Sequence, residues 1–165
     1  MGSREVRQAA ASWPPAPDAG AGAGKTAALW FGLMFGAPAA ALAGGLSVEG
    51  AWVAPNNTVG SDIGLYMTVR NDADEPDALI RAACPIANFS EKRTVDVGEG
   101  GLANRAVPNI PVAAHSTLTM TSKTYHVGLL QTRDKLTEGQ SFTCNLSFRR
   151  TGPLEVKVTV SPSAP

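Results

Sequence analysis

The sequence predicts an all-β domain, an antiparallel sandwich or small barrel with Greek-key connections, lying after an N-terminal signal or anchor. Three observations predict it. From Leu46 onward, short runs of apolar and β-branched residues alternate with polar ones, clusters of Gly, Pro, Asn and Asp separate the runs, and no stretch there keeps an apolar 3.6-residue period beyond two turns. A chain of 165 residues is about one domain long.

The runs are Leu46 to Val53, Gly64 to Arg70, Ala78 to Ala83, Thr117 to Thr121, His126 to Leu130, Ser141 to Phe148 and Leu154 to Val160. In the last, Leu154, Val156, Val158 and Val160 alternate with Glu155, Lys157 and Thr159, so one face meets a core and the other meets water. Phe142, Cys144, Leu146 and Phe148 likewise share a face, which places Cys144 inside. Turns are expected at Pro55-Asn56-Asn57, Asn71 to Pro76, Gly98-Glu99-Gly100-Gly101, Thr137-Glu138-Gly139 and Thr151-Gly152-Pro153. Seven or more strands joined in this way fit a two-sheet sandwich.

The N-terminal part divides differently. Residues 1–24 carry Arg4 and Arg7 ahead of an Ala-, Pro- and Gly-rich run and read as a disordered leader. Residues 25–43 begin at Lys25, continue through the apolar Ala27 to Phe35 and end in Ala41-Leu42-Ala43, small residues at the −3 and −1 positions of a secretory cleavage site. The competing reading is an uncleaved anchor, in which residues 26–48 are the only membrane contact. Either way residues 44–165 face an exported, periplasmic compartment.

Fourteen Lys plus Arg balance fourteen Asp plus Glu, so nucleic acid is excluded as a partner on electrostatic grounds. Cys84 and Cys144, an even pair in an oxidising compartment, read first as a disulfide. A redox pair or thiolate metal ligands is the alternative, though no Cys-x-x-Cys motif is present and neither cysteine has a nearby His. The His115 and His126 neighbourhoods lack a Gly-x-Ser-x-Gly elbow, and the reading is that the protein is not an enzyme. Asp72, Asp74 and Glu75 lack the spacing of a calcium loop. Soft-metal donors remain: His115, His126, Met67 and Met120, of which the methionines read most simply as core.

Several segments together resemble the periplasmic copper chaperones known as PCu(A)C. They are Ala51-Trp52, Tyr66-Met67-Thr68-Val69-Arg70-Asn71, Asp77-Ala78-Leu79 leading to Cys84-Pro85, Val107-x-x-Ile110-x-Val112, Tyr125-His126-Val127, and Leu136-x-x-Gly139 before the Phe142 to Phe148 strand. The resemblance implies a cupredoxin-like fold over about Val48 to Val160 and a family role in Cu(I) delivery for respiratory oxidase assembly. The family's copper site is a His-Met pair, ten residues, Met, twenty-one residues, then His-x-Met. Anchored on His126, that spacing puts the other ligands at Lys92, Arg93, Asn104 and Gly128, so only the histidine is retained. Two of those positions carry cations, which repel Cu(I) and donate no lone pair. No Met or His lies between Met67 and His115, so no shift of register restores the first three ligands.

Two functions follow as expectations. One is copper handling with a degenerate site, in which His126 binds Cu(I) with Met120 or His115 as helpers. The other is a metal-free binding module, an accessory subunit that docks onto a membrane protein complex through a protein partner. In the second, Lys92, Arg93 and Arg105 form a basic patch, set against the simpler reading of a solvated loop.

Overall fold

The computed structural model describes residues 41–98 and 101–164. The leader of residues 1–24, and the signal or anchor segment through residue 40, lie outside the described residues. Among the described residues there is no helix.

Eleven strands form: β1 (Ala41–Ala43), β2 (Leu46–Val53), β3 (Ile63–Asn71), β4 (Asp77–Ala83), β5 (Ala87–Gly98), β6 (Gly101–Ala106), β7 (Ile110–Val112), β8 (Ser116–Met120), β9 (His126–Thr132), β10 (Ser141–Phe148) and β11 (Gly152–Val160). They connect in the order β6-β5-β9-β3-β2-β11-β10-β4-β7, with β1 on β2 and β8 on β3. Every pairing is antiparallel except β11 with β2, a two-residue parallel seam of Thr159 opposite Trp52 and Val160 opposite Val53. The expected antiparallel sandwich is therefore present, with this one parallel contact joining its halves.

Alternation dictates the core. Leu65, Met67 and Val69 of β3, Val127 and Leu129 of β9, and Val48 and Val53 of β2 are buried from one half. Leu146 and Phe148 of β10, Val156 and Val158 of β11, and Ile110 of β7 are buried from the other, and all belong to one hydrophobic cluster. The predicted runs correspond to β2, β3, β4, β8, β9, β10 and β11. Strands β1, β5, β6 and β7 were not among them; in β5, Ser90-Glu91-Lys92-Arg93 interrupts the apolar alternation with charge. The solvated-loop reading of Lys92, Arg93 and Arg105 is accordingly corrected: all three sit in the paired strands β5 and β6.

Ala41–Ala43, the end of the predicted signal or anchor, pairs with the start of β2. The two residues between them, Gly44 and Gly45, both have positive φ, 57° and 86°, the conformation that a two-residue hairpin turn requires and glycine adopts without strain.

Candidate functional site

Four strands carry a transverse row of side chains on the face of the sheet turned away from the core. Trp52 of β2 is opposite Tyr66 of β3. Leu65 is opposite Val127, which brings the next residues, Tyr66 and His126, side by side. His126 of β9 is in turn opposite Arg93 of β5. Their strand neighbours Ala51, Val53, Leu65, Met67 and Val127 are buried in the core, so the row points outward by alternation. The Trp52 and Tyr66 rings lie 5.0 Å apart and the Tyr66 and His126 rings 6.1 Å apart.

The adjacent row is bare at two of its positions: Gly64 pairs with Gly128, which pairs with Glu91. Neighbouring side chains fill the space. A Cβ on Gly64 would overlap the Tyr66 ring, and one on Gly128 would meet Arg93 Nε at 3.0 Å. Arg93 is held there by Glu91, its Nη2 donating to Oε2 at 3.1 Å. His126 is only 6% exposed despite facing outward, and its one polar contact among the described residues is Nδ1 with the Thr124 carbonyl at 3.3 Å. Arg93, Asn104, His126 and Gly128 thus share the outer face, Asn104 of β6 being exposed and opposite Val95 of β5. Lys92 points the other way and donates from Nζ to the Ile80 carbonyl at 2.6 Å.

The proposed helpers are elsewhere. Met120 pairs with Met67 and is buried in the core, so it lies on the opposite side of the sheet from His126. A cleft of about 410 Å³ bounded by Trp52, Tyr66, Met67, Met120, Thr121 and Pro162 adjoins the row. His115 sits near the far end of β3, beyond the Asn71–Ser116 pair, and roughly 20 Å along that strand from the Tyr66 row. It is exposed, and its Nε2 contacts Asp74 Oδ1 at 2.9 Å. Among the described residues no group of three or more His, Cys, Asp or Glu side chains could hold a metal. Beside His126, Arg93 and Gly128 supply a guanidinium and a glycine, neither of which offers a side-chain lone pair to Cu(I).

Arg105, the third cation of the expected patch, pairs with Asp96 at 2.7 Å. Cys84 and Cys144 are bonded, which joins the end of β4 to β10 within the core.

The sequence pointed to His126 and missed two features. One is the aromatic row; the signal for it was a glycine two residues from each of Tyr66 and His126 on alternating strands. The other is Asp77, only 7% exposed at the start of β4. Its carboxylate accepts from Ala78 N at 2.7 Å, Arg150 N at 2.9 Å, Thr151 N at 2.9 Å and Thr151 Oγ1 at 2.7 Å. Burial pushes its pKa up, but these hydrogen bonds outweigh burial and hold it below the ordinary carboxylate value.

Residues 46–160 match the sequence profile of a family described as LpqE-like lipoproteins. No curated protein matches the chain. Among solved structures, the copper-bound PCuAC domain from PmoF2 is 22% identical, with a TM-score of 0.63 over 77% of this chain and 99% of that one. The apo PCuAC domain from PmoF1 is 18% identical, with a TM-score of 0.64 over 77% of this chain and all of the other. These two bear on the fold alone. The Cu(I) form of DR1885 from Deinococcus radiodurans is 29% identical, with a TM-score of 0.58 over 74% of this chain and 81% of that one.

Proposed function

The chain belongs to the LpqE-like lipoprotein family, and from that premise we propose that it is an exported PCu(A)C-type protein whose copper position is degenerate and which works by docking to a protein partner. The partner class that the family resemblance favours is a membrane respiratory complex, with this chain as an accessory subunit in oxidase assembly. The observation that carries the reading is Arg93: its guanidinium lies over Gly128, beside the one histidine that the copper-site spacing retains. A cation there opposes Cu(I), and Glu91 fixes it in place. Export rests on residues 25–43, as cleaved signal or anchor. The first cysteine of the sequence is Cys84, already bonded to Cys144, so neither thiol is free to accept a lipid.

A second reading is favoured by the Cu(I) form of DR1885: copper as cargo, held weakly through the imidazole of His126. The two separate in a Cu(I) titration of the protein against a chromogenic chelator, with His126→Ala in parallel. The docking reading expects no competition with the chelator from either protein. Stoichiometric binding that vanishes in His126→Ala overturns it and restores copper handling.

A further inference from the structure

Two strand edges face each other across an open gap. On its second side β4 is paired by β7 from Asp77 to Leu79, which leaves Ile80–Ala83 without a strand partner there among the described residues. On β5, β6 ends at Ala106 opposite Arg93, so Ala87–Glu91 has β9 on one side and, among the described residues, no strand on the other. The Cys84-Pro85-Ile86 turn joins the two edges. Between them is a depression of about 320 Å³ lined by Arg81, Cys84, Asn88, Phe89, Ser90 and Lys92.

The two edges are not equivalent. Ile80 is the extra residue of a β-bulge between the Leu79–Phe148 and Arg81–Ser147 pairs, and its carbonyl is taken by Lys92 Nζ. A bulge plus a lysine blunts an edge. Over Asn88–Ser90 the β5 edge keeps a regular register with β9, and Lys92, whose side chain crosses the gap, lies just beyond that stretch. The Lys92 carbonyl accepts from Val107 N, away from β9, and main-chain groups alternate sides along a strand, so those of Ser90 and Asn88 also point into the gap.

Chemistry accompanies the free edge. Of the three large hydrophobic residues exposed among the described residues, Ile80 and Phe89 lie at this gap, and Phe89 is 61% exposed. Arg81, Lys92 and Arg133, which donates to Asn88 Oδ1 at 2.8 Å, have no carboxylate partner among the described residues, whereas Arg93 and Arg105 each have one.

We propose that this gap docks an extended acidic segment of a partner protein, which adds as a short strand to β5 at Asn88–Ser90. The inference deepens the docking reading above and names the chemistry of its partner. The incoming main chain pairs with Asn88 and Ser90, an apolar side chain covers Phe89, and carboxylates meet Arg81, Lys92 and Arg133 without displacing an existing ion pair. A basic segment is repelled by the same cations.

The test uses the full chain and the capped peptide acetyl-Glu-Val-Asp-Val-Glu-amide, followed by NMR amide exchange. The expected result is saturable binding with new protection at Asn88 and Ser90, weakened about tenfold by Arg81→Glu, by Phe89→Ser and by high salt. Both substitutions are at exposed positions, and an unchanged circular dichroism spectrum confirms their fold. Equal binding of the lysine-substituted peptide, protection at other strands, or no binding overturns the proposal. So does binding to phosphatidylglycerol vesicles without peptide binding, which reassigns the cations to a membrane surface. Failure of the peptide with the copper titration still blank removes the edge alone; copper bound at His126 removes the docking reading itself.

Discussion

Asp77 and His126 are both buried ionisable side chains on the same domain, and they are held in opposite ways. Asp77 receives four hydrogen bonds at the corner where β4 meets the β10–β11 turn, and the Cys84–Cys144 bond fastens the same strand pair further along. His126 has one long contact to a carbonyl and is otherwise enclosed by Tyr66 and its strand neighbours. A polar group with every acceptor site used is part of the scaffold, since removing it strands its donors. A polar group with spare capacity costs little to change and marks where chemistry can be lost or rebuilt. The β4–β10 corner is thus built for stability, and the β5–β9 outer face is the part free to change function.

Four measurements press on that contrast. The largest effect is expected at the corner: Cys84→Ala with Cys144→Ala should lower the unfolding free energy by about 4 kcal/mol, read by urea denaturation, because a loop of roughly sixty residues is no longer closed. Asp77→Ala should cost about 3 kcal/mol in the same assay, whereas His126→Ala should cost about 1 kcal/mol or less. Equal losses at the two sites would break the comparison.

Acid sharpens it. The folded-state pKa of Asp77 is depressed, so its contribution is complete above the unfolded value of about 4 and is lost as pH falls through the lower folded value. Stability should therefore drop as pH falls below about 4 by more in the native protein than in Asp77→Asn, measured as urea midpoints along an acid series. The smallest effect on stability, within about 1 kcal/mol, is expected from Arg93→Met, Asn104→Met and Gly128→Met combined. That variant should nonetheless gain Cu(I) binding, at least about a hundredfold over the native chain by chelator competition, because it replaces the guanidinium with thioether donors on the same face as His126. No gain would mean that the outer face lacks the geometry as well as the donors.

Much of the fold was legible because regular half-buried strands write their own period. Residues Leu46–Val53 and Ser141–Phe148 are strands β2 and β10 with the bounds that alternation gave them. Strand β5 was illegible for a physical reason: its outer face carries Phe89, Glu91 and Arg93, and Lys92 on the other face reaches across an open edge, so neither face is uniformly apolar. At the site, the family's ligand spacing groups His126 with Arg93 and Gly128, and the register places them as neighbours. It could not tell that Lys92 faces away, that Met120 is turned to the core, or that His115 is at the other end of β3. Those depend on which strand pairs with which, and distant segments of sequence do not carry that information individually.

Strand β3 has its own consequence for how quickly the domain assembles. It pairs with β2 along one side, while its other side is shared end to end, β9 through Leu65 and β8 from Met67 onward. Two of its three ladders therefore wait for segments about fifty residues downstream, each closing a long loop before any ladder energy is returned. Folding is paced by the search for that one strand's partners, on the millisecond-to-second scale of high-contact-order β domains rather than that of local hairpins. Until β8 and β9 arrive, β3 exposes an apolar edge, which makes the unfolded chain most vulnerable to mispairing at Leu65–Val69.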